Sequence, residues 1–165
     1  MNNSYPVTEA LPIHAPDQKI KRWIALTVLM LPVLLVSVDN TVLAFAVPSI
    51  AQALEPSSSE QLWIVDAYSL VLAGLLVPMG SLGDRIGRRK ILLIGSVGFA
   101  VISALAAFAP TALLLVIARA VLGFFGAMLM PATLSLIRNI FRNPKERRTA
   151  IAVWAAGLSA GAALG

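Results

Sequence analysis

The stretch that decides the fold is Gly80-Ser81-Leu82-Gly83-Asp84-Arg85-Ile86-Gly87-Arg88-Arg89-Lys90, a short basic interruption between two long apolar runs. The runs cover about residues 62–82 and 91–109, and each has close to the 20 or so residues that a helix needs to cross the hydrocarbon core of a bilayer. Two spanning helices joined by so short a connection must meet at the same membrane surface. The stretch therefore predicts an α-helical hairpin embedded in a membrane.

Apolar runs of similar length continue on both sides of this hairpin. Together they predict helices at about residues 23–47, 62–82, 91–109 and 112–137, with an incomplete fifth at 149–165. The predicted fold class is all-α integral membrane, with four complete transmembrane helices plus the start of a fifth.

The segments between these runs are polar. Residues 1–22 are predicted to form a tail, and residues 48–61, which contain Pro56-Ser57-Ser58-Ser59, are predicted to form a loop. Pro131 is expected to kink the fourth helix, because proline removes one backbone hydrogen bond.

The composition of the 165-residue chain agrees with a membrane location. Hydrophobic residues make up 58% of it and charged residues only 13%, with a mean hydropathy of +0.84. A soluble domain carries about 45–50% apolar and about 25% charged residues, so a soluble enzyme, a disordered chain and a disulfide-stapled secreted protein are excluded. With no cysteine, and with His14 of the polar tail as the single histidine, the sequence offers no thiolate or histidine-cluster metal site.

The net charge of +5 would suit a nucleic-acid partner, but the positions of the charges indicate membrane orientation instead. Apart from Arg119, every Lys and Arg lies in one of three clusters: Lys19, Lys21 and Arg22; Arg85, Arg88, Arg89 and Lys90; Arg138, Arg142, Lys145, Arg147 and Arg148. In the predicted connections on the opposite side of the membrane the charged residues are Glu55 and Glu60, and neither is basic. Under the positive-inside rule the N-terminus is cytoplasmic, and no nucleic-acid partner is expected.

Three charged side chains lie inside the predicted spans: Asp39, Asp66 and Arg119. A charge near the bilayer centre costs roughly 2.5–3.5 kcal/mol, so such residues usually face the interior of a bundle and act there. Asp39 and Arg119 lie about 13 and 10 Å from the outer ends of their helices, and so they could pair. Asp66 lies only about 6 Å from its outer end, where water can reach it. A purely structural Asp39–Arg119 pair and a merely solvated Asp66 remain open.

Small residues recur on one face of the fifth predicted helix. Gly157, Gly161 and Gly165 are spaced four apart, and so they line a single stripe. Small residues at this spacing let two helix backbones approach closely in lipid. We therefore expect close packing of this helix against a neighbour.

The interruption at residues 80–90 resembles the signature loop of the major facilitator superfamily. The family pattern between helices two and three is G-x-L-x-D-R-x-G-R-[KR]-[KR], and the stretch matches it at every position. The resemblance implies a major-facilitator helix bundle, of which this chain holds the N-terminal part. It also implies a role for the loop in conformational switching. The implied gate residues are Gly80, Gly83, Asp84, Arg85, Gly87 and Arg88.

Three further segments resemble the drug:proton antiporter branch with fourteen helices. Asp39 to Pro48 is similar to its first-helix motif D-x-T-V-x-N-V-A-L-P, with Ala44 in place of the usual Asn. Arg119 to Gly123 is similar to its fourth-helix motif R-x-x-Q-G, with Leu122 in place of Gln. Residues 161–165 resemble the opening of its fifth-helix motif, G-x-x-x-G-P-x-x-G-G.

Residues 62–74, 143–147 and 152–154 narrow the resemblance to QacA- and SmvA-like multidrug exporters. The resemblance implies proton-coupled efflux of lipophilic cations, such as quaternary ammonium compounds and dyes, by a multi-pass protein of the bacterial cytoplasmic (inner) membrane. It implies no enzyme activity and no cofactor, since the proton gradient drives transport. The implied partners are protons, lipophilic cationic drugs and membrane lipids.

The membrane acids suggest how such transport works. A carboxylate can hold either a proton or a cation, so Asp39 with Arg119 is the hypothesis for proton coupling and Asp66 for recognition of the drug's charge. Trp63 and Tyr68 are expected to add a cation–π surface. For Trp63, anchoring at the membrane interface explains the residue equally well.

Other functions remain open. The sequence stops inside its predicted fifth helix, and five helices cannot enclose the cavity of a two-domain transporter, so a truncated non-transporting fragment or an interaction subunit is one alternative. A facilitator-type uptake transporter for another solute is a second, although Asp39 and Asp66 disfavour anions. A membrane-embedded enzyme is set aside, because the sequence has no G-x-S-x-G or H-E-x-x-H motif and no histidine in a predicted span.

Overall fold

The computed structural model describes residues 16–164, with side-chain surroundings over residues 19–160. Over these residues the chain forms five helices joined by short connections. They are α1 (Pro16–Leu54), α2 (Ser58–Ile86), α3 (Arg88–Ala106), α4 (Ala112–Ile140) and α5 (Pro144–Leu164). The first four are long and apolar enough to cross a membrane, which confirms the predicted all-α membrane bundle.

Most helices extend beyond the apolar runs that predicted them. α1 begins at Pro16, so the end of the predicted tail over residues 1–22 is helical, whereas His14 lies outside the described residues. At its C-terminal end α3 is instead shorter than its predicted run, because it stops at Ala106 and not near residue 109. Hydropathy marks the length that faces lipid, and it cannot mark polar residues that continue a helix into the headgroup region. Pro131 lies inside α4, which continues to Ile140.

The predicted loop over residues 48–61 is wrong for most of its length. α1 continues through Pro48 to Leu54, and α2 begins at Ser58. A proline inside a spanning helix is tolerated, because neighbouring groups satisfy the freed carbonyl. The helix is broken instead by Glu55, which has a φ of 41°, and by the following Pro56.

Ser57 restarts the helix with a capping box. Its hydroxyl accepts a hydrogen bond from the Glu60 N–H at 3.3 Å, and its own N–H donates to the Glu60 carboxylate at 2.9 Å. At the start of α4 the Thr111 hydroxyl accepts from the Leu114 N–H at 3.3 Å. Each cap satisfies backbone donors that the first turn of a helix leaves free, so both helix starts are fixed by local sequence.

α4 lies at the centre of the bundle and packs against each of the other four helices. It approaches α2 where Gly123 lies against the α2 backbone, and α3 where Gly95 lies against Leu129. The buried cluster between these helices consists of Val36, Tyr68, Phe99, Leu122 and Leu129. This central position brings Arg119 of α4 into contact with α1 and α2.

α5 packs along α1, and the glycine stripe takes part in that contact. A β-carbon at Gly157 would collide with the Met30 side chain of α1. Nearby, the Ser37 hydroxyl donates to the Leu158 carbonyl at 3.2 Å. Gly161 lies in α5 but its surroundings, like the whole of Gly165, fall outside the described residues.

The three basic clusters lie at the same end of the bundle. The rings of Trp23 and Phe141 meet edge to face with centroids 5.5 Å apart, and Arg22 reaches Glu146 of α5 at 3.7 Å. Asn139 near the end of α4 lines one cavity together with Asp84 and residues 86–90. The beginning of α1, the α2–α3 junction and the α4–α5 junction therefore form one strongly basic surface.

Candidate functional site

An ion pair between α1 and α4 forms the centre of the candidate site. Arg119 Nη1 lies 2.6 Å from Asp39 Oδ2, and the side chains are 4% and 12% exposed. A buried charge without a partner costs several kcal/mol, so each of these groups depends on the other. The sequence placed the two at similar depth, and the structure brings them into contact.

The other two spanning helices also contribute to this site. The Arg119 Nε–H donates to the Ile64 carbonyl of α2 at 3.2 Å, and the Ser103 hydroxyl of α3 donates to Asp39 Oδ1 at 3.4 Å. Both carboxylate oxygens of Asp39 are therefore engaged, one by α4 and one by α3. A change in the charge of Asp39 would therefore alter hydrogen bonds that involve every spanning helix.

The polar neighbours of Asp39 turn back onto their own helix. The Asn40 amide donates to the Val36 carbonyl at 3.2 Å, and the Thr41 hydroxyl donates to the Ser37 carbonyl at 2.8 Å. Ser and Thr hydroxyls in helices commonly make this bond to the preceding turn. Asp39 differs from them in that its carboxylate bonds to Arg119 of α4.

Tyr68 lies within the same cluster. Its side chain is buried, and the guanidinium carbon of Arg119 lies 4.7 Å from the centre of its ring. Its ring also meets Phe99 of α3 edge to face, with centroids 6.4 Å apart. The sequence grouped Tyr68 with Trp63 and Asp66, whereas the structure places it beside Arg119.

Asp66 and Trp63 lie on the opposite side of α2. Trp63 is 47% exposed and Asp66 is exposed as well, whereas Ile64 and Ala67 of the same turns are buried. Residues three apart are neighbours on a helix surface, so the indole and the carboxylate present one patch. The structure therefore separates this exposed patch from the buried ion pair.

The α2–α3 junction is the second candidate element. α2 runs to Ile86, Gly87 alone lies outside a helix, and α3 begins at Arg88. Asp84 and Arg88 form an ion pair across this junction, 2.5 Å apart, with 58% and 36% of their side chains exposed. Arg85 is also exposed, in the last turn of α2. The pair ties the end of one helix to the start of the next.

Gly80 and Gly83 lie within α2 and permit close packing. A β-carbon at Gly80 would lie 3.6 Å from the Pro131 side chain of α4, and one at Gly83 would lie 3.3 Å from Ile91 of α3. Of the three glycines in the signature loop, Gly87 is the one that lies at the turn. The six gate residues implied by the signature loop thus line a junction that also contacts the proline of α4.

Residues 29–165 match the family model of the Major Facilitator Superfamily. The chain belongs to the major facilitator superfamily. With four apolar spans within residues 16–164, it is a multi-pass protein of the bacterial inner membrane.

Named relatives within the major facilitator superfamily are exporters and resistance proteins. The chain is 70% identical over 145 residues to the "Multidrug efflux pump LfrA" of Mycolicibacterium smegmatis, and 45% identical over 145 residues to the "Methyl viologen resistance protein SmvA" of Salmonella typhimurium. Each of these alignments covers 88% of this chain. It is also 39% identical over 165 residues to the "Puromycin resistance protein pur8" of Streptomyces alboniger, covering 97% of the chain. The chain spans only 29–32% of the length of these relatives.

Two groups that bond to the Asp39–Arg119 pair were not predicted from the sequence: the Ser103 hydroxyl and the Ile64 carbonyl. Ser103 follows the fully buried Phe99 by four residues, so a polar residue on the bundle-facing side of α3 was the signal that could have found it. The Ile64 carbonyl carries no sequence signal, because every residue has a backbone oxygen. Its role follows only from the rotation of α2 against α4.

Substitution of Gly87 by Ala is expected to weaken the junction. Gly87 has a φ of 102° and a ψ of 127°, a conformation that other residues adopt only at a cost of about 1–3 kcal/mol. Gly74→Ala on α2 is the matched control, since nothing lies within 4 Å of a β-carbon there. The melting temperature of the full-length transporter carrying each change should fall for Gly87→Ala alone. Equal melting temperatures would show that the junction tolerates a side chain.

Proposed function

We propose that this chain is part of a proton-coupled multidrug exporter that expels lipophilic cations across the bacterial cytoplasmic membrane. The observation that carries the proposal is the buried Asp39–Arg119 pair where four spanning helices meet. The printed names of the relatives support drug export. The proposed partners are protons, lipophilic cationic drugs and membrane lipids. The protein acts as a transporter rather than an enzyme, uses the proton gradient in place of a cofactor, and has its N-terminus and basic surface in the cytoplasm.

Asp39 couples the proton to the arrangement of the helices. As a carboxylate it attracts Arg119 and holds α1 against α4. A proton on Asp39 removes that charge, so the attraction between the two helices weakens while Arg119 stays charged. Protonation therefore favours a different packing of α1 and α4, and the proton gradient biases the two packings.

Asp66 and Trp63 recognise the cation in this proposal. An exposed carboxylate next to an exposed indole offers a lipophilic cation both an opposite charge and an aromatic face. The patch carries no basic side chain in its own helix turns, and this favours a cation over an anion. Protonation or displacement of the helix would release the bound drug.

The Asp84–Arg88 pair is the proposed cytoplasmic gate. It is exposed, and exposed pairs contribute only about 0–1 kcal/mol, so it can open at little cost during each cycle. Its neighbour Gly80 lets the junction lie close to Pro131 of α4, the helix that carries Arg119. A change of packing at the ion pair can therefore reach the junction through α4.

Neutralising the two membrane acids should affect export differently. In cells that express the full-length transporter, Asp39→Asn should abolish uncoupler-sensitive ethidium efflux, because an asparagine amide cannot take up and release the proton that couples transport to the gradient. Asp66→Asn should instead weaken efflux of cations more than efflux of neutral compounds.

Glu55→Gln is the matched control, because Glu55 is an exposed acid in the α1–α2 connection. Its efflux should equal that of the parent at equal membrane abundance. Undiminished uncoupler-sensitive efflux by Asp39→Asn would contradict the coupling role.

A further inference from the structure

Arg119 is held by three groups that differ in how they respond to a proton. Asp39 supplies a charge, the Ile64 carbonyl supplies a neutral acceptor, and the Tyr68 ring lies 4.7 Å from the guanidinium carbon. A proton on Asp39 removes the first of these interactions. The carbonyl and the ring remain, since neither changes charge.

The buried surroundings of Arg119 offer no second carboxylate among the described residues. α3 carries no charged residue after Lys90, and α4 carries none between Ala112 and Arg119. Asp66 of α2 is exposed on the other side of its helix. A buried cation with no compensating partner is strongly unfavourable, so when Asp39 is neutral the ring must bear a larger share of holding Arg119.

We propose that Tyr68 is a positioning residue that keeps Arg119 in place, through the face of its ring, while Asp39 carries a proton. The inference rests on the proposed proton coupling and assigns to Tyr68 a part that is distinct from drug binding. The ring face toward the interior is occupied by the protein's own cation. The aromatic face offered to a transported cation is then that of Trp63.

The packing around Tyr68 fixes its ring at this position. Arg119, Gly123 and Gly126 share one face of α4, because they are spaced by four and three residues. A β-carbon at Gly123 would lie 2.5 Å from the Tyr68 carbonyl oxygen, and one at Gly126 would lie 3.2 Å from its hydroxyl. The two glycines let α2 approach α4 closely enough for the ring to reach the guanidinium.

The Tyr68 hydroxyl is not what holds the residue. It is buried next to Asn40, and among the described residues no group lies in good hydrogen-bond geometry to it. The ring contacts Arg119 through its face and meets Phe99 in an edge-to-face arrangement.

Stepwise fluorination of the ring tests the proposal. Phenylalanine and its mono-, di- and trifluoro derivatives are introduced at position 68 of the full-length transporter, which withdraws electrons from the ring face with little change in size. Uncoupler-sensitive ethidium efflux should fall with each added fluorine, by about twofold to thirtyfold across the series. Efflux by Tyr68→Leu should be at or below the lowest value in the series. Efflux by Tyr68→Trp should be higher than that by Tyr68→Leu.

The same series at Phe99 is the control, because it alters the Tyr68–Phe99 contact and leaves the Arg119 contact intact. Efflux should stay level across that series. A level response at position 68, or an equal decline at both positions, would overturn the role of Tyr68. Absence of uncoupler-sensitive efflux in the parent protein would instead overturn the proton coupling itself, so the two failures can be told apart.

Discussion

Arg119→Gln should abolish proton-driven export and destabilise the transporter by about 3–5 kcal/mol. The substitution leaves Asp39 as a carboxylate that is 12% exposed, with only the 3.4 Å hydrogen bond from Ser103 to stabilise its charge. Breaking a buried pair on one side costs more than removing both charges, because it strands the remaining charge. Thermal unfolding of the purified full-length protein measures the effect.

The double variant Asp39→Asn/Arg119→Gln separates stability from coupling. Two neutral amides can hydrogen-bond to each other and leave no buried charge, so most of the lost stability should return. Efflux driven by the proton gradient should stay absent, because no group in the pair can then exchange a proton. Wild-type stability of the single Arg119→Gln variant would show that the pair is not a buried charge pair in the working protein.

Gly123→Ala should separate α2 from α4 and remove efflux. Its β-carbon would lie 2.5 Å from the Tyr68 carbonyl oxygen and 3.0 Å from the Val71 β-carbon. A backbone oxygen cannot rotate away as the end of a flexible side chain can, and overpacking of this kind typically costs about 1–3 kcal/mol. The displacement would also move Tyr68 and the Ile64 carbonyl away from Arg119.

Gly74→Ala supplies the comparison for Gly123→Ala, because it makes the same chemical change at an open position of α2. Alanine is the better helix former, so this variant should be at least as stable as the parent. Melting temperature and ethidium efflux of the two full-length variants are measured together. A Gly123→Ala protein that matches the Gly74→Ala protein in both would show that the close approach of α2 to α4 has no role.

The spans and the ion pair could be predicted because each appears in the sequence as a feature with a large energetic cost. Apolar runs of about 20 residues are costly in water, and a charge inside such a run is costly in lipid. Asp39 and Arg119 therefore stood out before their contact was known. The basic clusters marked one end of the bundle for the same reason.

The neighbours of the pair could not be predicted, because a membrane helix does not show which side faces the core. In lipid an apolar side chain is equally suited to the outside: Val77 of α2 is 77% exposed and Leu93 of α3 is 65% exposed, whereas Phe99 of α3 is fully buried. The rotation of each helix is set by packing instead, here by glycines such as Gly123. The contacts of Tyr68 and Ser103 with the pair depend on that rotation.

The ends of the helices were also predicted poorly from the sequence. Pro48 suggested an end of α1, but the helix passes through it and stops at Leu54, where Glu55 adopts a positive φ ahead of Pro56. The capping box of Ser57 and Glu60 was readable in the sequence as S-x-x-E, and it would have placed the start of α2 correctly. Capping residues would thus have located this boundary better than hydropathy did.

The most direct test of proton coupling through Asp39 uses the purified full-length transporter in liposomes. An imposed pH gradient should drive ethidium accumulation by the parent protein. Asp39→Asn should fail to respond to the gradient while it still exchanges ethidium across the membrane in both directions, since exchange needs the drug site but not the proton. Accumulation by Asp39→Asn equal to that of the parent under the same gradient would contradict coupling through Asp39.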